Sequence, residues 1–141
     1  MPLLLLFLLT FSGNLSAGDA VHIDSHRAQT NYMLNCQGCH QADGSGLPGS
    51  VPSLQGLVGG FLEIPGGRDF LVQVPGSANA PLGDAELAEL FNWILLTMSS
   101  AALGHDFNYY TTGEVSRARE VVLRDVAKTR AELVAKMNSG G

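Results

Sequence analysis

Between Asp84 and Met98 the apolar residues Leu87, Leu90, Phe91, Ile94, Leu95 and Met98 recur at i, i+3, i+4, i+7, i+8 and i+11. That is the spacing of a helix buried along one whole face. Gly83 stands at the N-cap position, and Asp84 and Glu86 put carboxylates in the first turn, against the positive end of the helix dipole. A second helix is predicted from Ser25, where Ala28, Tyr32 and Cys36 fall on one face and the small Ala28 admits a close helix crossing. Met33 lies on the same helix and reads as a packing residue. Near the C-terminus Thr111 and Glu114 have the spacing of a capping box, and Val115, Ala118, Val122, Val126, Thr129, Leu133 and Met137 form one stripe. The stripe predicts a single amphipathic terminal helix over 113–141, about 35 Å of it at helical rise, with the segment's bases off the stripe.

The stretches between these helices read differently. Residues 42–54 are too rich in Gly, Pro and Ser for a helix or a central strand and must be a loop. Residues 55–80 alternate Gly and Pro with short apolar pieces, of which Phe70-Leu71-Val72-Gln73-Val74 fits a short helix or a strand equally well. The long elements predicted are helices, and an all-α fold class is expected, with domain bounds at 19–100, a connector at 101–112 and the terminal helix at 113–141.

Residues 3–9, extended by Thr10 and Phe11, are apolar over signal-peptide length and too short to cross a bilayer as a helix of ~20 residues. Small residues at Ser16-Ala17-Gly18 offer a cleavage site, so 1–18 reads as an export signal, although the usual basic n-region is absent. The expected address is periplasmic, without stable membrane insertion. At 141 residues the chain is one domain plus its ends, and its formal charge of −5 is unevenly spread. Residues 19–112 hold nine acids against Arg27 and Arg68, while 113–141 hold four acids against six bases. An acidic body argues against nucleic acid as a partner.

The chemistry concentrates in Cys36-Gln37-Gly38-Cys39-His40. Two thiols three residues apart, followed at once by an imidazole, are the attachment signature of a c-type haem. In a helical turn both sulfurs project to one side, where they can add to the two vinyl groups of one porphyrin, and His40 comes under the iron as its proximal ligand. A redox dithiol would want a βαβ context, and zinc would want two further Cys or His at short spacing when the chain has only two cysteines. A structural disulfide across so small a loop would stabilise little. The cofactor expected is one covalently bound haem c.

With a Gly-rich loop after His40 and Pro52-Ser53-Leu54 twelve residues beyond it, the chain resembles a class I cytochrome c over roughly residues 25–98. The resemblance implies helices wrapped on one haem, here with an extra C-terminal helix. It also implies that the Pro52 carbonyl accepts the Nδ1 proton of His40, and that the helix over 84–98 crosses the first helix where Ala28 and Tyr32 meet Phe91 or Trp93. In the family a loop methionine just before the last core helix binds the iron, and here that loop has Ala80 in its place. Met98, His105, His22, His26 or no protein group stay open as the distal ligand. The implied function is single-electron transfer, not enzymatic catalysis, from a periplasmic dehydrogenase toward a cytochrome or oxidase. A five-coordinate haem that binds or reduces peroxide, NO or CO is a second reading, and a haem subunit docked on a dehydrogenase through the terminal helix is a third.

Overall fold

A computed structural model describes residues 22–104 and 107–139. The export-signal segment 1–18 and His105 lie outside the described residues, which are helical with no strand among them; a single antiparallel bridge joins Leu47 and Val51. None of the described helices is long and apolar enough to cross a membrane.

Helix α1 (Ser25–Asn35) begins where the Asp24 carboxylate accepts the N–H groups of His26 and Arg27, both at 3.1 Å. It buries Ala28 and Tyr32 and gives way at Cys36 to the single turn α2 (Gln37–His40). Helix α6 (Asp84–Met98) crosses α1, with the Tyr32 and Trp93 rings 5.6 Å apart. Of the two aromatics expected at this crossing, Trp93 is the one that meets Tyr32. Phe91 turns the other way and stacks on Tyr110 at 5.0 Å. Glu86 accepts the Gly83 N–H at 3.0 Å, so the acidic first turn of α6 closes its own N-terminus. The crossing is locked by Glu89, 7% exposed, whose carboxylate takes Nε and Nη2 of Arg27 at 2.7 Å each and the Asp24 N–H at 2.8 Å. Met33 is 56% exposed on α1 and does not pack as expected.

Between them run α3 (Leu57–Phe61), α4 (Gly67–Gln73) and the one-turn α5 (Pro75–Ala78). The ambiguous segment around Phe70 is therefore helical, and Phe70, Leu71 and Val72 are buried. Stacking of Phe61 on Phe70 at 5.4 Å joins α3 to α4, and the buried Ser99 hydroxyl accepts the Gly59 N–H at 2.9 Å.

The terminal segment departs from the single expected helix. It forms α7 (Thr112–Arg119) and α8 (Val126–Asn138), and Val122, which the stripe would bury, is 83% exposed in the turn between them. The physical reason is directional. Helix α7 packs on α6 and α4 while α8 packs on α3 and α4, and one straight rod of this length cannot follow both surfaces. Asp125 permits the restart, its carboxylate accepting the Lys128 N–H at 2.9 Å. The segment packs across the body: Val115, Ala118 and Leu133 belong to the same buried cluster as Tyr32, Phe70 and Leu95. The capping box at Thr111 is half made. Its hydroxyl accepts the Glu114 N–H at 3.2 Å, but the Glu114 carboxylate pairs instead with Arg68 at 2.6 and 2.9 Å, where two charge-assisted bonds outweigh one bond to a neutral N–H.

The entry to α7 is pinned by Asn92, fully buried on α6, which donates to the Tyr110 carbonyl at 3.0 Å and accepts the Tyr110 N–H at 2.7 Å. Asn92→Ala leaves two buried backbone groups without partners, and a loss of about 3 kcal/mol is expected in urea unfolding. A loss under about 1 kcal/mol would mean that water enters and takes over both bonds. Hydrogen bonding from Arg27 holds the Glu89 carboxyl below the ordinary glutamate range, against the opposing effect of its burial. Its stabilisation is therefore complete above that ordinary range and lost as pH falls through the lowered value. Wild type and Glu89→Gln should differ most in unfolding free energy at neutral pH and converge in acid; a gap that does not change with pH would contradict the ion pair.

Candidate haem site

Cys36 and Cys39 are free thiols that border one cleft together with His40. The break between α1 and α2 puts Cys36 half-buried at the inner rim and leaves Cys39 exposed. Burial pushes the Cys36 thiol up, and the neighbouring Cys39 adds to the shift. That direction is the opposite of the one that activates a redox thiol.

His40 ends α2, and its Nδ1 lies 3.0 Å from the Pro52 carbonyl oxygen. A carbonyl can only accept, so the ring carries its proton on Nδ1 and keeps the Nε2 lone pair free for a metal. The loop between the two residues is built for this contact. Gly46 N–H bonds the His40 carbonyl at 3.0 Å, Leu47 and Val51 exchange N–H···O bonds of 2.9 Å, and Leu54 N–H returns to the Gly44 carbonyl at 2.7 Å. Gly46 has φ +71°, and a methyl there would collide with the Val51 carbonyl oxygen and stand 2.7 Å from that of Pro52. Only glycine meets both conditions.

The cleft beyond His40 is walled by Leu57, Val58 and Phe61 of α3, Phe70 and Leu71 of α4, and Leu87, Leu90, Phe91 and Ile94 of α6. No carboxylate lines it, and His40 is its only histidine among the described residues, where no cluster of three or more His, Cys, Asp or Glu could hold a bare metal ion. Two thiols and an imidazole at the rim of an apolar slot fit an iron that arrives inside a porphyrin.

The segment where the class I resemblance expects a loop ligand brings Val74, Gly76, Ser77 and Ala80 to the cleft. None of these carries a thioether or an imidazole. Met98 does not line the cleft. A methyl at Gly44 would stand 2.7 Å from its Sδ, which places Met98 under the 42–54 loop as a packing residue. His22 and His26 are exposed at the start of α1 and also lie off the cleft.

Two residues that the sequence reading left in solvent reach this region. Arg130, one turn after Val126 on α8, lines the cleft with it. Arg119 of α7 donates from Nη1 to the Leu82 carbonyl and the Asp84 carboxylate, both at 2.8 Å, and from Nη2 to the Ala80 and Ser77 carbonyls at 2.9 and 3.4 Å. The bases are expected off the apolar stripe, yet Arg130 follows Val126 by one helical turn and so shares its face. Nothing in the sequence marks Arg119.

Fold and site together define a helical protein that encloses a covalently attached porphyrin. No family model matches the chain. It is 32% identical over 121 residues to a cytochrome c-552 of Thermus thermophilus, covering 72% of this chain and 92% of that protein. A second cytochrome c-552 of the same species is 32% identical over the same length, with 82% of it covered. The chain belongs to the c-type cytochromes, and its cofactor is one covalently bound haem c.

Gly46→Ala should cost the holoprotein about 3 kcal/mol in thermal unfolding, because it adds a backbone collision to the strain of a left-handed residue. Gly49 has a similar φ of +78° and open space around it, so Gly49→Ala should cost only about 1 kcal/mol. Equal losses would show that the 42–54 loop is not held against His40.

Proposed function

We propose that this c-type cytochrome relays single electrons in the periplasm, between a dehydrogenase and a downstream cytochrome or oxidase, and is not itself an enzyme. In this reading Cys36 and Cys39 form the thioethers, His40 is the proximal iron ligand, and the Pro52 carbonyl fixes the plane of its ring. The observation that carries it is the 3.0 Å approach of His40 Nδ1 to Pro52 O beside two thiols on the rim of one apolar cleft. The bound haem supplies a one-electron couple. The protein's part is to hold the imidazole, exclude water with the walls of α3, α4 and α6, and leave one edge of the cleft reachable at Cys39. Met33, Leu34 and Leu47, near that rim in sequence, are 56, 76 and 43% exposed and would give a redox partner an apolar landing area inside an acidic surround. The apolar N-terminal stretch supports export, since thioethers are made on the oxidising side of the membrane.

A second reading, binding or reduction of a small molecule such as CO, NO or peroxide at the iron, draws support from the absence of methionine and of any second histidine in the cleft among the described residues. The two separate in one set of measurements. A relay reduced in a stopped-flow cell passes its electron to a basic redox protein at a rate that falls about tenfold or more as salt rises, and its ferrous spectrum is unmoved by CO. A CO-shifted spectrum with slow, salt-independent electron exchange would overturn the relay and leave the ligand-binding reading.

A further inference from the structure

The turn between α7 and α8 holds two valines out in solvent, Val121 55% and Val122 83% exposed, while Leu123 beside them packs against the common core. The fold has no need of valine there. The Val121 N–H bonds the Ala118 carbonyl at 3.2 Å, which any residue but proline would do. Nor is the turn loose. Arg119 is fastened before it to Leu82 and Asp84, and after it the Asp125 carboxylate caps α8 at the Lys128 N–H. Two stiff β-branched side chains on a fixed turn lose little freedom when a partner covers them. The charges around them are mostly positive. Arg117, Arg124 and Lys128 are exposed and form no ion pair among the described residues. Of the nearby acids, Asp125 is engaged at the N-terminus of α8, where the helix dipole offsets it, and Glu120 is left. A basic, apolar knob on an otherwise acidic protein fits a partner whose own surface is acidic around an apolar recess. The knob is also close to the cofactor site, since Val126, four residues after Val122, lines the cleft, a chain distance of at most about 14 Å.

We propose that the α7–α8 turn docks an acidic redox protein, and that one electron passes there between that partner and the haem, with no bond made or broken and no proton moved. The proposal rests on the relay reading and adds to it a second docking surface. Met33, Leu34 and Leu47, in their acidic surround, suit a basic partner, whereas Val121 and Val122 suit an acidic one. The two surfaces belong to different elements, so a donor and an acceptor of opposite charge need not displace one another. The rival occupant of the turn is the acidic body of a second copy of this chain, and the test separates the two.

The test mixes the ferric holoprotein in a stopped-flow cell with a reduced plant-type ferredoxin, an acidic one-electron donor. Val122→Asp and Arg124→Glu, both at exposed positions, should each lower the second-order rate constant about tenfold, and Val122→Ile should leave it near the wild-type value. Electron exchange with a lysine-rich cytochrome c should be equally fast in wild type and Val122→Asp. Ferredoxin rates that neither charged variant lowers overturn the proposal, as does an equal slowing with both probe proteins, which would mean that one edge serves both. Sedimentation of the holoprotein over a range of concentrations should show a monomer. A dimer that Val122→Asp dissociates, with ferredoxin rates unchanged, assigns the turn to a second copy and overturns the proposal. The mass of each denatured variant shows whether haem is attached: a chain without it defeats the relay reading itself, whereas unchanged rates with haem in place defeat only docking at the turn.

Discussion

An imidazole can present a lone pair to iron in a fixed direction only if its other nitrogen is already engaged as a donor, and the bond from His40 Nδ1 to the Pro52 carbonyl is that engagement. Much of the first half of the chain serves it. Proline lacks an N–H, so Pro52 contributes only its carbonyl, and the Leu47–Val51 bridge turns the loop back far enough to aim that carbonyl at the ring. Gln41 leaves α2 at φ +65°, and the Tyr32 hydroxyl holds its carbonyl at 2.6 Å, which ties the loop's first residue to the base of α1. Tyr32 is in turn packed on Trp93, so the α1–α6 crossing carries the whole assembly.

The parts of this arrangement that could be read from the sequence are those governed by period or by chemistry. Helix α6 was legible because its apolar spacing runs unbroken through Met98, and Cys36, Cys39 and His40 because few other uses exist for those residue types in that order. The bond to Pro52 came from the family resemblance, and the spacing of twelve residues became meaningful only with it. The terminal segment misled because α7 and α8 turn an apolar face to the same body from two directions. Their stripes join in sequence across a turn that no glycine or proline marks. Asn92 and Tyr110 were invisible for a different reason. A side chain that satisfies a remote backbone group leaves no pattern, since its partner contributes only the N–H and C=O that nearly every residue has.

Arg119 shows what the second half of the chain adds. Ser77 lies in the one-turn α5 and Ala80 and Leu82 in the bends after it; the Ser77 and Ala80 carbonyls each accept a local N–H and keep a lone pair for a further donor. Arg119 supplies that donor and anchors to Asp84 at the head of α6. Charge pairing between body and tail is local. One pair runs from tail base to body acid, Arg119 to Asp84, and another runs the opposite way, Arg68 to Glu114. Among the described residues no other tail charge pairs with the body, and Val115, Ala118 and Leu133 hold the two helices in the common core.

This clamp bears on the choice between carrying electrons and binding small molecules. Electron exchange asks for one reachable edge of the porphyrin, and the exposed Cys39 marks such an edge. A small ligand asks for more, a path into the cleft, part of whose lining is made by Val74, Gly76, Ser77 and Ala80. Displacing the 77–84 part of that lining would mean separating it from Arg119, where each charge-assisted bond is worth about 1.5–3 kcal/mol. A site evolved for traffic through that lining would gain nothing from fastening it so firmly. A carrier gains a water-free slot whose geometry changes little between oxidation states, and that argument holds whichever group completes the iron's coordination.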